Sequence, residues 1–164
     1  GGKTFRPDDV EEVQVSLYQA SLDLLGNVEP KTPYLAKFCL PFCAATALRY
    51  GHVQRGDFTD ARLRDADIGS LMQKIRIQSD PELTGAYPRK WPARVRIVLK
   101  DGRQLAAANE YPKGDPENPL SEEEVIGKFK SLVSGVIPPA RTDMLIERVL
   151  HIDESPDIGL LLSA

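Results

Sequence analysis

Cys39 and Cys43, four residues apart, and His52 shortly after them are the residue types that hold zinc. Zinc needs three or four such ligands, and the only other histidine, His151, lies far along the chain. Two thiols at helical spacing in an apolar segment read more simply as small core residues. A nucleophilic cysteine would also need a neighbouring base and some exposure, and neither is visible. A second cluster, Tyr87-Pro-Arg-Lys-Trp-Pro92, sets Arg89 and Lys90 between two aromatics. A guanidinium fork there could take a carboxylate in two parallel hydrogen bonds; equally, the stretch is a surface loop anchored by Trp91. Lys113 stands in the proline-rich run Glu110-Tyr-Pro-Lys-Gly-Asp-Pro-Glu-Asn-Pro-Leu-Ser-Glu-Glu-Glu124. It could meet an anion gathered at the start of the helix that follows, or Pro112, Pro116 and Pro119 simply stiffen a crossover. Gly102 and Gly114 do not build a phosphate loop, which needs several glycines and a following Lys-Ser or Lys-Thr. Lys37 opens an apolar helix, where the dipole does not favour a cation; a snorkelling lysine is the plain alternative. No acid–base pair, triad or metal box assembles from these residues.

The elements that must carry them follow from periodicity. Val13, Val15 and Leu17 alternate with polar neighbours, the mark of a half-buried strand within residues 10–22, preceded by a turn at 6–9. A loop with Pro30 and Pro33 follows. Phe38, Phe42, Ala45 and Leu48 recur at helical spacing within 36–50, with Gly51 as the stop. Pro41 predicts a kink, or a start near Leu40. Two short helices are expected at 57–64 and 66–75, with Leu63, Ile68, Leu71 and Ile75 inward, then a short strand at 76–78. Residues 82–92 read as irregular because Gly85, Pro88 and Pro92 interrupt them. Strands at 94–100 and 103–110 flank Asp101-Gly102, a pair suited to a type I′ hairpin turn. Ser121 and Glu124 form a capping box for a helix over 121–136, with Val125, Ile126, Phe129, Leu132, Val133 and Val136 on one face. A further helix is expected at about 139–151 and a short one after Pro156. The order predicts an α+β fold, a small antiparallel sheet packed against helices.

At 164 residues the chain is long enough for one domain with a real core. A net charge of −3 offers no basic field for nucleic acid or an anionic membrane. Its apolar runs are too short for a membrane-spanning helix, and its first residues are too polar for a signal peptide. Two cysteines in poor geometry for a disulfide point to a reducing, cytoplasmic setting. Residues 1–4, Gly-Gly-Lys-Thr without a methionine, read as a tag remnant on a piece of something longer.

Several stretches together resemble one family. Phe5-Arg-Pro-Asp-Asp-Val-Glu-Glu-Val-Gln-Val15, Ala36-Lys-Phe-Cys-Leu-Pro-Phe-Cys-Ala-Ala-Thr-Ala-Leu48 with Gly51, and Phe58-Thr-Asp60 look like the C-terminal half of the MmgE/PrpD family. Pro92-Ala-Arg-Val-Arg-Ile-Val-Leu-Lys-Asp-Gly102, Pro112-Lys-Gly-Asp-Pro-Glu-Asn-Pro-Leu-Ser121 and Lys128-Phe129 continue the match in order. The family includes 2-methylcitrate dehydratase, cis-aconitate decarboxylase and iminodisuccinate epimerase.

The resemblance implies a longer two-domain enzyme. Residues 5–138 would form its α+β lid, and 139–164 would return to a helical N-terminal domain of the same protein. The active site would lie in the cleft between them, with most acid–base residues in the helical part. The family's lid lysine, in a Lys-x-Tyr-Pro or Lys-x-Phe-Pro motif, has no counterpart here. The lid tyrosine of the decarboxylase falls near Tyr18 to Leu22, and the resemblance carries it over to Tyr18. Where some relatives carry Arg-His or Asp-His, this chain has Lys37-Phe38, so no proton-transfer histidine is carried over. The substrate implied is a small di- or tricarboxylic acid, dehydrated, decarboxylated or epimerised by proton abstraction beside a carboxylate. Lys37, Arg89, Lys90 and Lys113 would supply positive charge to it. Neither a metal nor an organic cofactor is implied, and full-length relatives are often homodimers. The isolated chain would be inactive. The rival reading is a stand-alone, non-catalytic module that binds a small acid or a protein.

Overall fold

In a computed structural model, residues 5–155 and 157–161 are described; the tag remnant read at 1–4 lies outside them, as does Pro156. The chain divides into two compact units, with the break after Pro112.

In the first unit a 3-10 turn at Pro7–Asp9 leads into strand β1, Val10–Leu17. Val10, Val13, Val15 and Leu17 are all buried, although Val10 is out of phase with the other three. A bulge between Val10 and Glu12 resolves this: the extra residue shifts the pleat and turns both valines to the core. The Lys74 ammonium donates to the Val10 carbonyl there, at 2.7 Å. Helices α1 (Gln19–Leu25) and α2 (Pro33–Ala36) precede α3, Leu40–Tyr50. Pro41 starts α3, where its missing N–H costs nothing. Gly51 ends it in the left-handed region at φ 83°.

Short α4 (Asp60–Leu63) and α5 (Ala66–Gln73) follow, then strand β2, Ile75–Ser79. Ile75 is buried as expected, but as the first residue of that strand. Helix α6, Pro81–Ala86, occupies part of the stretch expected to be irregular. Asp80 caps it, its Oδ1 accepting from the Glu82 and Leu83 N–H groups at 2.8 and 3.4 Å. Pro81 is its first residue, so this proline opens the helix, and the Gly85 breaker comes only at its end. Strands β3 (Ala93–Leu99) and β4 (Gln104–Asn109) complete the unit.

The sheet order is β2-β1-β3-β4. The fold is α+β, but the sheet is mixed, because β2 runs parallel to β1. The helical crossover from α1 to α5 returns the chain to the same end of the sheet, which an all-antiparallel expectation overlooks. Across the sheet, Val13 lies between Ile75 and Ile97, and Val15 between Ile77 and Val95. This apolar face joins Phe42, Ala45, Ile68 and Leu71 of α3 and α5 in one core. Gln14 lies between Arg76 and Arg96, and Ser16 between Gln78 and Arg94, so the opposite face is polar.

The hairpin also differs from expectation. Gly102 has φ 85°, but no other type of residue among those described has a positive φ, so a type I′ turn is excluded. Three residues, 100–102, form the loop, closed by Gly102 N–H to the Leu99 carbonyl and Leu99 N–H to the Arg103 carbonyl, both 2.9 Å. Asp101 accepts from the Arg103 N–H at 3.0 Å and holds its own backbone in an ordinary turn.

The second unit contains α7, Glu122–Val133, and α8, Pro139–Leu150, with a 3-10 turn at Ile158–Leu161. The capping box is present: Ser121 Oγ accepts from the Glu124 N–H at 3.2 Å, and Glu124 Oε2 from the Ser121 N–H at 2.8 Å. Helix α7 stops at Val133, short of Val136, and Gly135 follows at φ 77°. We expect Ser121→Ala to weaken α7 by about 1 kcal/mol and Ser121→Asp to preserve it. Amide exchange over residues 124–128 measures this: unchanged protection in Ser121→Ala would mean the box contributes nothing.

Candidate functional site

Tyr18 is where β1 gives way to α1. Its carbonyl accepts from the Ser21 and Leu22 N–H groups at 3.1 and 3.2 Å, which starts the helix. The residue is only 8% exposed. Its ring stacks on Tyr87, with centroids 4.5 Å apart and planes 6° from parallel. Trp91 meets Tyr18 edge-on at 6.1 Å and Tyr87 at 5.7 Å. Such pairs add to the apolar burial of each ring. Among the described residues no fully enclosed side-chain oxygen or nitrogen lacks a partner, and the Tyr18 hydroxyl has no partner. That hydroxyl therefore emerges at the surface while its ring is held from two sides. A phenol so placed can donate or accept a proton at one fixed point.

The loop that holds it is itself held. The Trp91 N–H donates to the Glu110 carbonyl at 3.0 Å, and the Lys90 N–H to the Ala86 carbonyl at 3.1 Å. Lys90 Nζ meets Glu110 Oε2 at 2.7 Å, which raises the pKa of the lysine, and lies 6.0 Å from the Tyr111 ring centre. Arg89 and Lys90 line a cleft of about 480 Å³, between α6 and the β3–β4 hairpin, that contains none of the three clamp rings. Arg94 also lines it, bound to Asp80 at 3.0 Å and Glu82 at 2.8 Å. One short loop thus presents a tyrosine clamp through Tyr87 and Trp91 and places Arg89 and Lys90 in the neighbouring cleft.

Lys37 is elsewhere. It caps the end of α2 and does not open α3, because Pro41 sets the start of α3 at Leu40. The side chain is exposed, with its ammonium 6.0 Å from the Tyr34 ring centre. Lys113 belongs to the second unit and pairs with Glu124 Oε2 at 3.0 Å. The same carboxylate caps α7, and the Ser121 N–H and then Lys113 hold it below the usual carboxylate range. Gly114, at φ 106°, turns the chain back so that its N–H reaches the Asn118 carbonyl at 2.8 Å. The proline-rich crossover is thus a closed turn whose lysine is engaged within it.

Cys39 is buried and Cys43 partly so. Burial, and then the neighbouring Cys39, push the Cys43 thiol up to about 11, far from a thiolate at neutral pH. His52 Nδ1 faces buried Asp57 at 3.4 Å. Among the described residues no group of three or more His, Cys, Asp or Glu side chains could hold a metal ion. Sequence reasoning missed the partnership of Tyr18 with Tyr87 and Trp91, which are distant in sequence. The only signal was the aromatic-cation cluster itself. It also missed Arg94 and Asn109, because alternation marks them only as strand positions.

The mouse cis-aconitate decarboxylase is 19% identical over 157 residues, covering 96% of this chain and 32% of that protein. A cis-aconitate decarboxylase-like protein of Aspergillus oryzae is 28% identical over 123 residues, 74% of this chain and 25% of that one. The cis-aconitate decarboxylase of Aspergillus terreus is 27% identical over 103 residues, 63% of this chain and 21% of that one. The chain therefore spans about a third or less of the length of these relatives. The family model described as the MmgE/PrpD C-terminal domain matches residues 2–152. The chain belongs to the MmgE/PrpD family, and what it carries is that family's C-terminal domain.

Proposed function

We propose that this chain is the lid-type part of an enzyme that acts on a small di- or tricarboxylic acid by moving a proton beside a carboxylate. The outcome would be dehydration, decarboxylation or epimerisation. The observation that carries this reading is the Tyr18 hydroxyl, at the surface and without a partner among the described residues, on a ring clamped by Tyr87 and Trp91. Three relatives named as cis-aconitate decarboxylases or decarboxylase-like proteins support the substrate class. Tyr18 would exchange the proton, Arg89 would draw in the acid and Lys37 would add positive charge, whereas Lys90 and Lys113 are already matched by Glu110 and Glu124. Closure of a lid over the bound acid would exclude water and strengthen these charges.

The remaining acid–base groups would come from a helical N-terminal domain of the same protein. The second unit supports such a partner. Among its described residues no apolar side chain is fully buried, and Val125 and Val149 are each more than half exposed. Between α7 and α8 lies a wholly apolar groove of about 230 Å³, which includes Ile126, Phe129 and Leu145. A surface of that kind marks a site of interaction. Residues 139–164 would join the helical body through this surface, and α7 would go with them.

Turnover tests the reading. The full-length gene product should consume cis-aconitate, 2-methylcitrate or a related small acid, and the 164-residue chain alone should not. Turnover by the chain alone would overturn the division of labour. A full-length protein inert toward all such acids would leave only a binding module.

A further inference from the structure

The cleft between α6 and the β3–β4 hairpin has an uneven charge balance. Arg94 is matched by Asp80 and Glu82, and Lys90 by Glu110. Arg89 is exposed and has no hydrogen-bond or ion-pair partner among the described residues. We propose that this cleft is a binding site for a single carboxylate, with Arg89 as its anchor.

The class of ligand follows from the lining. The lining itself carries three cations, Arg89, Lys90 and Arg94, against two carboxylates, Glu82 and Glu110, and of these five only Arg89 has no partner among the described residues, which suits one carboxylate. A phosphate dianion would stand beside Glu82 and Glu110 with charge to spare. The guanidinium fork matches the two oxygens of a carboxylate. Asn109 Oδ1 already accepts from the Tyr111 N–H at 3.3 Å, which leaves its Nδ2 amide as a second donor. Leu83, Ala86, Pro92 and Ala108 supply an apolar wall for a short carbon skeleton. The proposal rests on the reading that the protein handles small carboxylic acids, and assigns the capture of one carboxylate to this chain without its helical partner. Because Arg89 is exposed, binding is expected to be weak, with a Kd of about 1 mM or above.

The test is a proton–nitrogen correlation spectrum of the chain titrated with sodium succinate, against sodium chloride and sodium phosphate at matched ionic strength. Saturable shifts are expected in residues 82–94 and 108–111 and at the Arg89 Nε–H. Arg89→Gln should weaken binding about 10- to 100-fold, with Arg89→Lys between, and leave distant resonances unchanged. Absence of a saturable shift with succinate, equal binding of phosphate, or shifts that survive Arg89→Gln would each overturn the site. The enzyme reading fails separately. If succinate binds here but the full-length protein turns over no acid, the cleft stands and that reading falls. If the full-length protein is active but this chain binds nothing, the reverse holds.

Discussion

Phe42→Ala is expected to remove about 3–5 kcal/mol of stability, the largest effect of any single truncation proposed here. Phe42 is 1% exposed and sits in α3, facing the apolar side of the sheet. Its ring lies 6.0 Å from that of Phe58. Thr46, also buried, donates to the Phe42 carbonyl at 2.8 Å, so the backbone there has little freedom to collapse into the space left. Against a typical domain stability of about 5–15 kcal/mol, that loss is a large fraction. Denaturant unfolding followed by Trp91 fluorescence reports this unit, since Trp91 belongs to it. A midpoint shift worth less than about 1 kcal/mol would show that the core repacks around the missing ring.

Tyr18→Phe should have the largest effect on activity. In the full-length protein we expect kcat to fall about 100- to 10,000-fold, the range for removing a positioned proton-transfer group. Michaelis constants should change little, because the ring and its stack on Tyr87 remain. Trp91 fluorescence should also be unchanged, which separates lost chemistry from lost packing. Tyr18→Leu, by contrast, would lose both the hydroxyl and the clamp. If Tyr18→Phe retains activity within about twofold, the hydroxyl has no part in the reaction.

Local signals were legible wherever one short stretch contains its own cause. The β1 alternation, the Pro41 start and Gly51 stop of α3, and the Ser121–Glu124 box each involve contacts within a few residues. Legibility failed where a distant partner decides. Helix α6 was hidden by Gly85 and Pro88, yet Leu83 is buried, and Arg94 of β3 pairs with the Asp80 that caps the helix. The Asp101-Gly102 turn took an extra residue: the Lys100 N–H is held by the Asp9 carbonyl at 2.8 Å, and Asp101 bonds Arg103.

By itself the sequence determined the α+β class and the family, because composition, period and motif are properties of neighbours along the chain. Only the tertiary structure decided which of the candidate residues lie together. Tyr18 and Trp91 are far apart in sequence, and their contact depends on the β1–β3 pairing that brings Leu17 opposite Ala93. Arg89 has no partner among the described residues, while Lys113, as conspicuous in the sequence, is paired with Glu124. A charge is available to a ligand only when folding has not already brought it a counter-ion, and that depends on distances through space.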